Sequence, residues 1–129
     1  MLLDTSFLID LMNGDDAAVE KAHELERDLV QQRLSSMTLF ELYYGIARAA
    51  DSETERETVE TVLDSKPIYP ADAAVMRKAG QLSGELQNDG TPVGDGDVII
   101  AATAEVVEEP VLTRNVEDFE RLGVEIELY

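Results

Sequence analysis

The chain of 129 residues contains no cysteine and a single histidine, His23. The first absence removes disulfide frameworks, thiolate zinc sites and cysteine nucleophiles together. The second removes any histidine-rich metal site and argues against a Ser-His-Asp triad. No apolar run approaches the roughly 20 residues that a membrane helix needs, and Met1-Leu2-Leu3-Asp4 lacks the basic start and long apolar stretch of a signal peptide. A soluble, cytoplasmic protein with no membrane partner is expected. Basic residues are also scarce: seven arginines and three lysines stand against 28 acids, a formal net charge of −18. Binding to phosphates normally draws on clustered Lys and Arg, so this balance speaks at first against a nucleic-acid ligand.

What is present is the composition of a folded protein, 44% hydrophobic, at a length that suits one domain spanning residues 1–129. Acids crowd Asp51 to Glu60 and Glu117 to Glu127, and the lysines are only Lys21, Lys66 and Lys78. Acid-rich, lysine-poor surfaces suit a cytosol of molar salt, where the screening length falls to roughly 3 Å and self-repulsion is quenched. A halophilic source is expected, and the net charge then describes the solvent more than the ligand.

Hydrophobic spacing predicts strands separated by helices. Met1 to Asp4 reads as a strand and Thr5 to Met12 as a helix. A helix from Ala17 to Gln31 carries Val19, Ala22, Leu25 and Leu29 on its inner face. Arg33 to Met37 is a second strand, followed by helices from Thr38 to Ala50 and from Glu53 to Leu63. Pro67 to Pro70 is extended. Helices then run from Ala71 or Asp72 to Leu86 and from Asp97 to Val107. Pro110 to Thr113 is a buried strand, Val116 to Leu122 a short helix, and Val124 to Leu128 a last strand. This alternation predicts an α/β domain with a mainly parallel sheet. Tyr43 is expected in the core, Tyr44 at the edge of an interface, and His23 solvated or partly packed.

In such folds the ligand crevice lies beyond the carboxyl ends of the strands. Acids stand at nearly every strand-to-helix junction: Asp4, Glu41, Asp95 with Asp97, and Asp118 near Asn115. Singly, each has an ordinary explanation as a helix cap. Thr38-x-x-Glu41 reads as a capping box, Asp95 or Asp97 can cap the apolar helix, and Asn115 the next one. Collectively they are harder to explain, because carboxylates within ~5 Å would repel by roughly 3 kcal/mol per pair at an effective dielectric near 20. A divalent cation removes that cost, and oxygen-only ligands point to Mg²⁺ or Mn²⁺ rather than zinc. Such ions suit hydrolysis at phosphorus.

Four blocks carry a resemblance: Leu3-Asp4-Thr5-Ser6; Phe40-Glu41-Leu42; the run from Gly94 through Asp97 to Ala104; and Leu112-Thr113-Arg114-Asn115-Val116-Glu117-Asp118-Phe119. In this order, over essentially the whole chain, they resemble the PIN-domain family and within it the VapC-type ribonuclease toxins of toxin–antitoxin pairs. The resemblance implies a three-layer α/β/α sandwich and Mg²⁺- or Mn²⁺-dependent cleavage of RNA. Asp4 and Asp97 match the principal metal ligands and Glu41 the middle acid. A water positioned by Glu41 or Asp97 would attack phosphorus in line. Asn115 stands where many relatives carry a fourth acid, with Asp118 or Asp95 as substitutes. Thr5, Ser6 and Thr113 fit supporting roles through hydroxyl hydrogen bonds, and Arg114 is a candidate contact for an RNA phosphate, or for a neighbouring acid. The resemblance also implies a homodimer silenced by a VapB-type antitoxin, with the helices from Thr38 to Leu63 as groove walls. Two other readings stay open: a housekeeping PIN nuclease in rRNA or tRNA processing, and a catalytically silent PIN binding module.

Overall fold

The computed structural model describes all 129 residues. Five short strands alternate with seven helices: β1 (Leu2–Leu3), α1 (Thr5–Met12), α2 (Asp16–Arg27), β2 (Leu34–Ser35), α3 (Ser36–Arg48), α4 (Ser52–Leu63), β3 (Ile68–Tyr69), α5 (Ala73–Asn88), α6 (Asp95–Val107), β4 (Val111–Leu112), α7 (Val116–Arg121) and β5 (Ile126–Glu127). Every strand pairing is parallel. β4 lies between β1 and β5, and β2 pairs with β3. A bridge from Leu2 to Arg33 joins the two groups, with the Leu3 amide donating to the Arg33 carbonyl and the Arg33 amide to that of Met1. The resulting order, β3-β2-β1-β4-β5, reverses between β1 and β4, which is where an open parallel sheet binds its ligand.

Alternation along two residues per strand is enough to fill both faces, because neighbouring side chains point to opposite sides. Leu2 and Val111 enter a core with Val75, Ala79, Val98, Ile100 and Phe119 from α5, α6 and α7. Their neighbours Leu3 and Leu112 enter a second core with Phe7, Leu8, Leu25, Leu42, Ile46 and Val59 from α1 to α4. Helices therefore cover both faces, the expected three-layer sandwich. No helix is long and apolar enough to cross a membrane.

Several local expectations change. The α2 helix ends at Arg27 rather than Gln31 because Leu29 adopts a left-handed φ of 55°. The Val30 amide then donates to the Leu25 carbonyl and the Leu29 amide to that of Glu26, a closing pattern that satisfies the last carbonyls. Leu29 is accordingly 90% exposed instead of in the core. Tyr43, expected inside, is also exposed, with Arg56 over its ring. His23 is exposed as expected.

The capping box does not form. Helix α3 starts at Ser36, two residues before the expected position, with Ser35 as its N-cap: the Met37 amide donates to Ser35 Oγ at 3.1 Å. Thr38 is thus inside the helix and fully buried, and its side chain is free to serve the crevice. Ser35 Oγ is also hydrogen-bonded to Thr103 Oγ1 of α6 at 3.2 Å, a buried link between the two helices that carry Glu41 and Asp97. Ser35→Ala removes both bonds, whereas Thr103 keeps its bond to the Ile99 carbonyl. The substitution is expected to lower stability by about 1–2 kcal/mol in urea denaturation.

Candidate active site

The crevice is built from the first residue after β1. Asp4 is 3% exposed and caps α1: its Oδ1 accepts from the Thr5 amide at 2.8 Å, while its Oδ2 accepts from Ser6 Oγ at 2.7 Å and Thr113 Oγ1 at 2.8 Å. Ser6 and Thr113 come from opposite sides of the strand-order reversal, so the carboxylate ties β1 to the loop after β4. An ionised carboxylate offers about four acceptor sites, and these donors leave one free on Oδ1. Thr113 Oγ1 is itself fixed, accepting from the Asn115 amide at 2.9 Å.

Glu41 lies in the second turn of α3. Thr5 Oγ1 donates to its Oε1 at 2.9 Å and stands 3.1 Å from Thr38 Oγ1. One threonine therefore serves two acids, Asp4 through its amide and Glu41 through its hydroxyl. The opposite side of the Glu41 carboxylate rests on Gly96, where an added Cβ would come within 3.1 Å of Oε2. Burial foremost, with the charge of Asp4 adding, raises the Glu41 pKa against the opposing pull of the Thr5 bond.

Asp97 is in the first turn of α6, whose N-cap, Gly94, offers no side chain. Neither Asp95 nor Asp97 caps this helix. The two acids diverge: Asp97 faces the crevice, whereas Asp95 is exposed beside Met76, Gly80 and Ser83 of α5 and does not join the set. Asn115 occupies the N-cap position of α7 without making a capping bond. Instead its Nδ2 donates to Asp97 Oδ2 at 2.7 Å and to Asp118 Oδ2 at 3.1 Å. Asn115 thereby bridges two acids, and Asp118 is held at the margin by Asn115 and Arg121. Burial first, then the charges of Asp4, Asp118 and Glu41, push the Asp97 pKa up to about 7.

The acids share one electrostatic field without closing into a tight cage. No group of three or more acidic or histidine side chains converges as a ready-made ion site. The tight gathering of three carboxylates anticipated from the sequence is relaxed because donors are interleaved between them, Thr5 between Asp4 and Glu41 and Asn115 between Asp97 and Asp118. Oxygen donors in this partly open arrangement fit a small hard cation that is held through one or two carboxylates and keeps several waters.

Arg114 is on the rim but engaged: its guanidinium donates to Asp10 Oδ1, and Tyr129 Oη donates to Asp10 Oδ2 at 2.6 Å. Asp10 and Tyr129 were not anticipated as part of this region. Asp10 sits mid-helix at no junction, and Tyr129 is distant in sequence. Helix α1 sets Asp10 one turn beyond Ser6, and only the sheet brings Tyr129 to it. The Tyr129 ring packs edge-on against Phe7, and burial and its bond to Asp10 hold the phenol proton on.

Sheet order and side chains together define a class of protein: a doubly wound parallel α/β domain whose crevice at the reversal point is lined with carboxylates. The chain matches the PIN domain over residues 1–125 and belongs to that family. It is 31% identical over 122 residues to the tRNA(fMet)-specific endonuclease VapC of Shigella flexneri, covering 95% of this chain and 91% of that one. To Ribonuclease VapC19 of Mycobacterium tuberculosis it is 29% identical over 118 residues, covering 92% and 90%. A chain in the crystal structure of DNA-bound VapBC from Salmonella typhimurium matches with a TM-score of 0.88 at 30% identity, covering 98% of this chain and 96% of that one. VapBC2 from Rickettsia felis, bound to a promoter DNA fragment, gives 0.89 at 24% identity, covering 99% and 97%, a likeness of fold.

The raised Asp97 pKa has a thermodynamic consequence. Between the ordinary carboxylate pKa near 4 and about 7, the folded state holds a proton that the unfolded chain has released, so metal-free stability falls as pH rises through this window. Asp97→Asn carries no charge at any pH and can turn its amide oxygen toward Asn115. In the presence of EDTA, its thermal midpoint is expected to exceed that of the wild type at pH 8, and the gain to shrink toward pH 4.5. An equal gain at both values would contradict the assignment of Asp97 as a strained ionised group.

Proposed function

We propose that the protein is a VapC-type toxin endoribonuclease, hydrolysing RNA phosphodiester bonds with a divalent cation, Mg²⁺ or Mn²⁺, and neutralised by a VapB-type antitoxin. The observation that carries the reading is the placement of Asp4, Glu41 and Asp97 around one crevice at the reversal of strand order, where the charge of Asp4 helps to raise both the Glu41 and the Asp97 carboxyls. Family membership, two-sided coverage of named ribonuclease relatives, and the likeness to VapBC complexes support it.

Asp4, with one acceptor site left on Oδ1, and Asp97 would hold the cation, with Glu41 sharing it or acting through water. The cation supplies Lewis-acid activation of water and shields charge on the phosphate oxygens. Glu41, braced between Thr5 and Gly96, accepts the proton of the attacking water, and its raised pKa suits that task. Thr5, Ser6 and Thr113 keep the carboxylates in place rather than meeting substrate. Asn115 donates to both Asp97 and Asp118, so the fourth position supplies hydrogen bonds to two acids instead of adding an anionic ligand. Arg114 can reach toward an RNA phosphate only by sharing its guanidinium with Asp10. The bracing set argues against a silent binding module, which has no need of a carboxylate kept near neutrality.

The acidic surface fits work in concentrated salt, and we propose a halophilic setting and a homodimer as well. A strict monomer by light scattering in molar KCl would contradict the dimer.

In molar KCl the wild type is expected to cleave total RNA with Mg²⁺ or Mn²⁺ and to stop with EDTA. Asp4→Asn, Glu41→Gln and Asp97→Asn should each lower the rate at least a hundredfold with the circular dichroism spectrum unchanged. Full, chelator-sensitive activity in Asp4→Asn and Asp97→Asn would refute the assignment. Gly96→Ala, which crowds Glu41 at 3.1 Å, is expected to reduce kcat more than it raises KM.

A further inference from the structure

A cavity of about 340 Å³ opens directly beside the Glu41 carboxylate. Thr5, Glu41 and Gly96 make up its polar wall, and Ile9, Met37, Phe40 and Tyr44 its apolar wall. The polar wall is the catalytic carboxylate together with the threonine and glycine that brace it. The apolar wall is unusually open to solvent: Phe40 is 65% exposed, Tyr44 59% and Ile9 38%. Phe40 immediately precedes Glu41 on α3, so its position is fixed relative to the reacting centre. The Arg48 guanidinium already covers the Tyr44 ring at 5.7 Å. No cation or second aromatic ring covers Phe40.

With the proposed cation at the carboxylate, an occupant of this hollow presents a phosphate to the polar wall and a flat apolar surface to the aromatic side chains. A nucleotide does so within a single unit. Charge points the same way. With 10 basic residues against 28 acids and Arg114 tied to Asp10, the protein has little means of holding RNA by neutralising its backbone. Affinity must come from contacts that salt does not screen, and base stacking on an aromatic face is of that kind. We propose that the hollow is a nucleobase subsite, in which the base adjoining the cleaved bond stacks on Phe40. The proposal rests on the ribonuclease reading and deepens it by naming a determinant of substrate binding.

The test uses the full chain in two backgrounds. In Asp97→Asn, affinity is measured by fluorescence anisotropy for a single-stranded oligoribonucleotide and for copies that each lack one base, scanned along its length. Phe40→Ala should weaken binding of the intact RNA by about tenfold, and one base removal should do the same. The two losses combined should not exceed either alone, the signature of a shared contact. Phe40→Trp should restore binding. In the wild-type background, Phe40→Ala should raise KM with kcat nearly unchanged. Unchanged RNA affinity in Phe40→Ala, or losses that simply add, overturns the subsite. So does weakened binding of a protein partner with RNA affinity intact, which assigns the hollow to that partner. Failure of the wild type to cleave any RNA refutes the ribonuclease reading separately, and the binding arm still decides the subsite.

Discussion

Asp4 is buried at the point where the sheet order reverses, and an ionised carboxylate there is tolerable only if its oxygens are hydrogen-bonded. The Thr5 amide and the Ser6 and Thr113 hydroxyls supply those bonds, which requires that β1 and β4 be neighbours and that both strands end together. The arrangement of the crevice depends on this requirement. Thr5, placed by capping with Asp4, turns its hydroxyl to Glu41. Thr113, placed by the same carboxylate, receives the Asn115 amide and so sets the Asn115 side chain against Asp97. One buried charge thus fixes the donors that orient the other two acids.

The cost of gathering acids is distributed rather than cancelled. Asp4 is stabilised by donors, Asp97 by a proton that it keeps up to about pH 7, and Glu41 by Thr5 against the pull of burial. Each solution is local and none uses a basic side chain. That leaves the crevice negative and dependent on an added cation whenever all its carboxylates ionise. The much larger acidic excess outside it sits on exposed helix faces such as Asp51, Glu53, Glu57 and Glu60 and is a separate matter of solvation.

The parallel α/β alternation and the acids at the strand ends were legible because hydrophobic periodicity and strand-end acids are local signals, while the three-layer sandwich and the choice of Asp4, Glu41 and Asp97 among those acids came from the resemblance to the PIN-domain family. Most of what was not legible had non-local causes. The capping box at Thr38 was a plausible pattern defeated by Ser35, which gains a second partner, Thr103, from a helix 68 positions away. Asn115 read as a cap, yet its amide is drawn to Asp97 and Asp118, whose proximity exists only in the folded chain. Leu29 fits a helical stripe, but the closing turn at the end of α2 carries it into solvent. Asp10 and Tyr129 gave no sequence signal because their meeting depends on the return of β5 beside β4.

The central claim is that Asp4 and Asp97 form one cation site at the strand reversal. Anomalous diffraction from crystals soaked in Mn²⁺ tests it most directly. The account predicts a manganese peak in the crevice, ligated by Asp4 and Asp97 oxygens and lost in Asp97→Asn crystals. A peak confined to the acidic helix faces, or one in the crevice that survives in Asp97→Asn with unchanged occupancy, would contradict it.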